Sequence, residues 1–178
     1  MKTGSMRVGL VLLAAVTILT AEAIAQERKK YSFVVPPGVS KYTQTHVIEV
    51  GDVPGHQLRI FELRSVYTDQ APAYDGVKVK ETTARAFSDY IEGSGTASGY
   101  TIDSLENGDK IFSRLAIHSH TTVAADGGKK LGFRTVRTIT GGTGRFSGIR
   151  GTILGGGGSD LKTGVSDNWN EGEYWIEK

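Results

Sequence analysis

The sequence has no cysteine among its 178 residues and only two methionines. No disulfide can hold the fold, so stability has to come from packing and hydrogen bonding. A strong charge of one sign is also missing. With Lys2, Arg7 and Glu22 of the leader set aside, basic and acidic side chains nearly balance, which argues against nucleic acid or another polyanion as a partner. Past the leader, no apolar run approaches the roughly 20 residues that a membrane helix needs. Nor does an apolar period of 3.6 persist for about a dozen residues, the least that sustains a helix. What abounds is glycine, 24 residues of it, among short segments rich in β-branched and aromatic residues.

The leader has Lys2 and Arg7 ahead of an apolar run, Val8 to Leu19, and then AEAIAQ, where Ala23 and Ala25 supply the small residues of a cleavage site. This is the pattern of a secretory signal peptide and predicts a secreted or periplasmic protein with no membrane contact after cleavage. Residues 1–25 are read as the signal peptide, 26–41 as a flexible, proline-containing lead-in, and 42–178 as one β-domain of ordinary length.

Eight segments read as strands: Tyr42 to Val50, Gln57 to Tyr67, Val77 to Tyr90, Gly95 to Leu105, Lys110 to Val123, Leu131 to Thr140, Ile149 to Leu154 and Gly172 to Glu177. Turn-forming stretches separate them, including GDVPG, DQAPAYDG, ENGD, ADGGKK and GGGGSD. Gly155 to Gly158 is read as a loop. Several segments alternate in polarity. Leu58, Ile60, Glu62, Arg64 and Val66 share one face of their strand, while Arg59, Phe61, Leu63 and Tyr67 share the other. Alternation with short connections predicts an all-β, antiparallel meander. Eight strands suit a barrel, which removes exposed edges and is wide enough to hold a small ligand.

The stretch TITGGTGRFSGIRGT, Thr138 to Thr152, invites comparison with a phosphate loop. It lacks the lysine and hydroxyl that follow the last glycine of such a loop, and no helix follows it. The dinucleotide fingerprint fails for the same reason. Glycines there serve a tight turn from which Phe146 can fall back onto the core.

Two passages carry a family resemblance. ITGGTGRFSGIRGTI resembles the signature turn of the allene oxide cyclase and dirigent barrel superfamily, and FELRSVYTDQAPAYDG resembles the early strand and loop of the plant cyclases. The resemblance spans about residues 40 to 178. It implies an eight-stranded antiparallel barrel with an apolar cavity, trimeric in the plant enzymes and trimeric or dimeric among relatives. In the cyclases, a glutamate of the early strand assists epoxide opening and a following asparagine holds a water. These positions fall on Glu62 and Arg64 here, and Ala71-Pro72 stands where the family has Ser-Pro.

The candidate site therefore comprises Glu62 as the acid–base residue, with Arg64, Glu81, Arg85 and Pro72 as ligand-binding residues. Glu81 and Arg85 share a face with Val77, Val79 and Phe87, so two strands would each set a charged pair among apolar neighbours. His118 and His120 are spaced to share a metal, but no third ligand accompanies them, so neither metal nor cofactor is expected. No nucleophile elbow of the G-x-S-x-G kind is present. The expected function is binding of a small apolar or amphipathic molecule in the cavity. The alternatives are an isomerase or cyclase using Glu62, or a structural, oligomer-forming barrel with a side-chain-filled interior.

Overall fold

The structure, a computed structural model, describes residues 26–123, 125, 127–160 and 166–177. Ten antiparallel strands form it: β1 (Lys29–Val35), β2 (Ser40–Glu49), β3 (His56–Val66), β4 (Ala73–Tyr74), β5 (Val77–Ile91), β6 (Ser94–Leu105), β7 (Lys110–Val123), β8 (Lys129–Gly142), β9 (Ile149–Asp160) and β10 (Ser166–Ile176). A single turn of 3₁₀ helix, Gly144–Phe146, is the one helical element among the described residues, and no helix there is long and apolar enough to cross a membrane. The signal-peptide expectation concerns residues outside the described set.

All eight expected strands are present, and two more join them. β1 lies within the segment read as a flexible lead-in, and β9 runs straight through Gly155 to Gly158, which were expected to form a loop. The reason lies in the neighbours of β9. On one face, a Cβ at Gly155 would meet the Thr135 hydroxyl and the Asn170 amide. On the other, a Cβ at Gly156 would meet the side chains of Arg134 and Trp169. Glycine is what lets β9 lie between these groups.

The strand order is β1-β10-β9-β8-β7-β6-β5-β3-β2, with β4 pairing only to β5. β1 and β2 are consecutive in sequence yet hold opposite edges of the sheet, so residues 36–39 connect one edge to the other. Four residues span at most about 14 Å, so the sheet must curl. No backbone ladder joins β1 to β2 among the described residues, but the Phe33 ring of β1 meets the Tyr67 ring just after β3 edge-on, at 5.6 Å.

One end of the curled sheet is filled. Tyr31, Tyr74, Val79, Leu105, Ile111, Ile139, Phe146, Ile149, Ile153 and Tyr174 form the main core there. The loop carrying β4 drops Tyr74 into this cluster, where it packs against Tyr31, Phe146 and Tyr174. The Pro72 carbonyl accepts from the Val79 amide at 2.8 Å. The glycine-rich turn delivers Phe146 to the same place, fully buried. Gly144 has φ +52°, and a Cβ there would strike the Asp109 carboxylate, which receives the Arg145 amide at 3.2 Å. The turn binds its own chain's carboxylate, as a structural turn does.

Candidate functional site

Alternation fixes two faces for each strand, and the structure shows which one turns inward. On β3, Arg59, Phe61, Leu63 and Ser65 face inward, continued by Tyr67. On β8, Leu131, Phe133, Thr135 and Arg137 do so. With residues from seven other strands, they line one cavity of about 450 Å³. That volume lies within the range of small-molecule pockets. Phe61, Leu63, Leu115, Ile117 and Phe133 make its walls apolar. Where β9 and β10 close the wall, Gly156 contributes only backbone, and Asn168 and Asn170 supply amides.

The floor is polar and rests on the main core. Arg137 reaches down to Asp103, whose carboxylate is almost completely buried and also accepts from Tyr74 Oη at 2.9 Å and Thr82 Oγ1 at 2.7 Å. A buried charge persists only when paired and hydrogen-bonded. This carboxylate has both, from β8, β5 and the β4 loop. Burial opposes the Arg137 charge most strongly, while the attraction of Asp103 and its hydrogen bond act the other way, and on balance the guanidinium pKa is raised. Burial likewise pushes the Tyr31, Tyr67 and Tyr74 phenols upward, so all three remain neutral donors. Arg137 Nε and Thr101 Oγ1 are buried with no partner.

Away from the floor, Arg59 lies over the rings of Tyr42 and Phe61, 5.3 and 5.5 Å from their centroids. It has no carboxylate partner among the described residues, and the Tyr42 hydroxyl is 3.4 Å from one of its terminal nitrogens. The cavity thus combines apolar walls, one arginine tied to an aspartate and one arginine free of any acid.

The residues expected to form the site lie elsewhere. Glu62 and Arg64 are on the outer face of β3, turned away from the cavity. They are not an ion pair with each other. Glu62 meets Arg85 directly across the β3–β5 ladder at 2.7 Å, and Arg64 bonds Glu81 diagonally. Thr43, at the β2 bulge, donates to Glu62 at 2.6 Å, and this bond, with Arg85, holds the Glu62 carboxyl below its usual range. The Arg64 hydrogen bond lowers Glu81 in turn, and Glu81 raises Arg64. A register shift between Val79 and Glu81 explains why Val79 is core while Glu81 points outward, although simple alternation puts them on one face. Pro72 is buried in the loop beneath the floor and does not line the cavity.

His118 and His120 are exposed on the outer face of β7, the His120 ring over Gly132 of β8. No group of three or more ligating side chains able to hold a metal occurs among the described residues. Arg59, Thr101, Asp103 and Arg137 are the site residues that sequence reading missed. A signal for one existed: Arg137 shares a strand face with Leu131, Phe133 and Ile139. An ionisable group on an apolar face is a candidate for a buried pair.

No protein-family model, no curated protein and no solved structure matches the chain. The fold and site define it, at the level of class, as an all-β protein whose antiparallel sheet curls around a lined cavity.

Proposed function

We propose that the sheet acts as a barrel closed at β1 and β2 by side chains and the 36–39 connection, and that it binds a small amphipathic molecule in its cavity. The observation that carries this reading is the cavity's composition: about 450 Å³ with Phe61, Leu63, Leu115, Ile117 and Phe133 in its walls, hydroxyls spread among them, and its two arginines at the floor and at residue 59. A filled interior would have supported a purely structural role, and the open volume argues against it. Glu62 has no access to this space, so a cyclase reaction through Glu62 loses its catalytic residue. The family likeness in the glycine turn and early strand agrees with a ligand-holding barrel in the cell envelope.

The test is native mass spectrometry of protein recovered from its producing cells, paired with titration of the apolar dye 8-anilinonaphthalene-1-sulfonate. One dye should bind per chain, and Leu115→Trp, which fills the cavity, should weaken binding at least tenfold while the circular dichroism spectrum stays unchanged. Equal dye binding by the Trp variant, together with no co-purifying molecule, would reject the proposal.

A further inference from the structure

The outer face of the four central strands carries a pattern independent of the cavity. The ladders align three rows of outward residues across β5, β6, β7 and β8. The middle row is Phe87, Ser98, Ala116 and Val136, with no charge in it. It continues as Ile60 on β3 and Leu154 on β9. Ile60, Phe87, Val136 and Leu154 are 64%, 44%, 42% and 46% exposed, so large apolar side chains stand on both sides of a low centre made by Ser98 and Ala116. A surface hollow of about 440 Å³ lies at that centre. Strands lie about 4.8 Å apart, so the belt runs roughly 24 Å along the curved outer surface, and an uncharged strip with large exposed apolar side chains of this kind marks a contact surface.

The flanking rows indicate what covers it. One contains Asp89 of β5 and Arg134 of β8, the other Tyr100 of β6 and Arg114 of β7. Neither Arg114 nor Arg134 has a carboxylate partner among the described residues. Consider a two-fold axis parallel to the strands between β6 and β7, with a second copy packed face to face. β5 then faces the partner's β8, and β6 faces its β7. Phe87 meets the partner's Val136, and Ser98 meets the partner's Ala116. Asp89 meets the partner's Arg134, Tyr100 meets the partner's Arg114, and every contact occurs twice. Opposite charges, a cation with an aromatic ring, and apolar with apolar coincide under one operation, and no like charges are opposed. Isologous interfaces require this self-complementarity.

We infer that the protein forms a two-fold dimer through the outer face of β5 to β8, with the Phe87–Val136 belt at its centre and the Asp89–Arg134 and Tyr100–Arg114 pairs at its rim. The cavity lies on the opposite face of the same strands and stays free in the dimer.

The chain has no cysteine, so cross-linking has no background. Sheets packed face to face lie about 10 Å apart, too far for a direct disulfide, so the double variant Phe87→Cys, Val136→Cys should instead be joined into covalent dimers by a bis-maleimide with a reach of about 10 Å. Within one chain these two positions are three strands apart, about 14 Å, and equivalent positions on two copies are as far apart again, so neither single variant should link. Sedimentation of the unmodified protein at tens of micromolar should give twice the chain mass. Val136→Glu should give the single-chain mass with an unchanged circular dichroism spectrum, unchanged dye binding and a melting temperature that no longer depends on protein concentration. A single-chain or threefold mass for the unmodified protein overturns the inference. So does equal cross-linking of the single variants, or a Val136→Glu protein that remains dimeric.

Discussion

Replacing Asp103 by asparagine probes the charge under the cavity with little change of shape. Asparagine retains an oxygen able to accept from Tyr74 or Thr82, and it fits the same space. What it removes is the negative charge facing Arg137, a residue that is itself buried. Leaving one member of a buried pair uncompensated costs about 3–5 kcal/mol, against a total stability of about 5–15 kcal/mol for an ordinary domain. At about 2–4 °C per kcal/mol for a chain of this size, the melting temperature should drop by roughly 6–20 °C. Urea unfolding followed by circular dichroism measures the loss, and the slope of the transition checks that both proteins unfold alike. The two charges should also be coupled. Asp103→Leu and Arg137→Met together should cost at least about 2 kcal/mol less than the two single losses summed, because removing both charges leaves none stranded. A loss below about 1 kcal/mol for Asp103→Asn, or strict additivity in the double variant, would refute the claim that this pair is buried and mutually dependent.

Glu62→Gln should leave dye affinity in the cavity unchanged, whereas Arg59→Ala should weaken the anionic dye and spare a neutral one; fluorescence titration separates the two. His56 lies between Asp89 at 2.8 Å and Asp52 at 2.6 Å, and hydrogen bonds to those carboxylates raise its pKa above 6.5. The charged form is favoured in the folded state, so its stabilisation is fully present below pH 6.5 and is lost as the pH rises through the higher folded value. Melting temperatures at pH 5.5 and 8.5 should differ more for the unmodified protein than for His56→Gln, and equal differences would contradict the assignment. Gly144→Ala should destabilise by about 1–3 kcal/mol through its positive φ and its collision with Asp109, and Asp109→Ala should restore only the collision part; chemical denaturation of the three variants checks this.

Much of the fold was legible because strands announce themselves by period and punctuation. Eight of them could be placed from alternation and turn residues alone. β1 escaped because its seven residues border Pro36 and Pro37 and pair with the far end of the chain, a contact 145 residues away that no local pattern encodes. The glycines of β9 read as a loop for a related reason, since their fit depends on Thr135, Trp169 and Asn170 lying alongside. The site was harder. Alternation correctly put Glu62 with Arg64 and Phe61 with Leu63, but two faces of a strand are symmetric until something outside it decides which is buried. Aromatic bulk decided it here, and the charged face became a cross-strand network with Glu81 and Arg85. At Lys80 a single shifted residue exchanged inside for outside, which polarity counting does not detect.

The place of β1 bears on how the chain assembles. From β2 to β10, every strand of the main path pairs with the next one along the sequence apart from the short detour of β4, so this part can form hairpin by hairpin. β1 alone must wait for β10. Yet its first residues lie beside the end of that strand, with Gln26 Nε2 donating to the Ile176 carbonyl at 2.8 Å. Linking residue 26 to residue 177 and opening the chain at residues 36–39 would turn the last long-range pairing into one more hairpin. The permuted protein would keep every ladder while lowering the mean sequence separation of its contacts, and on the dependence of rate on topology it should fold faster than the natural order.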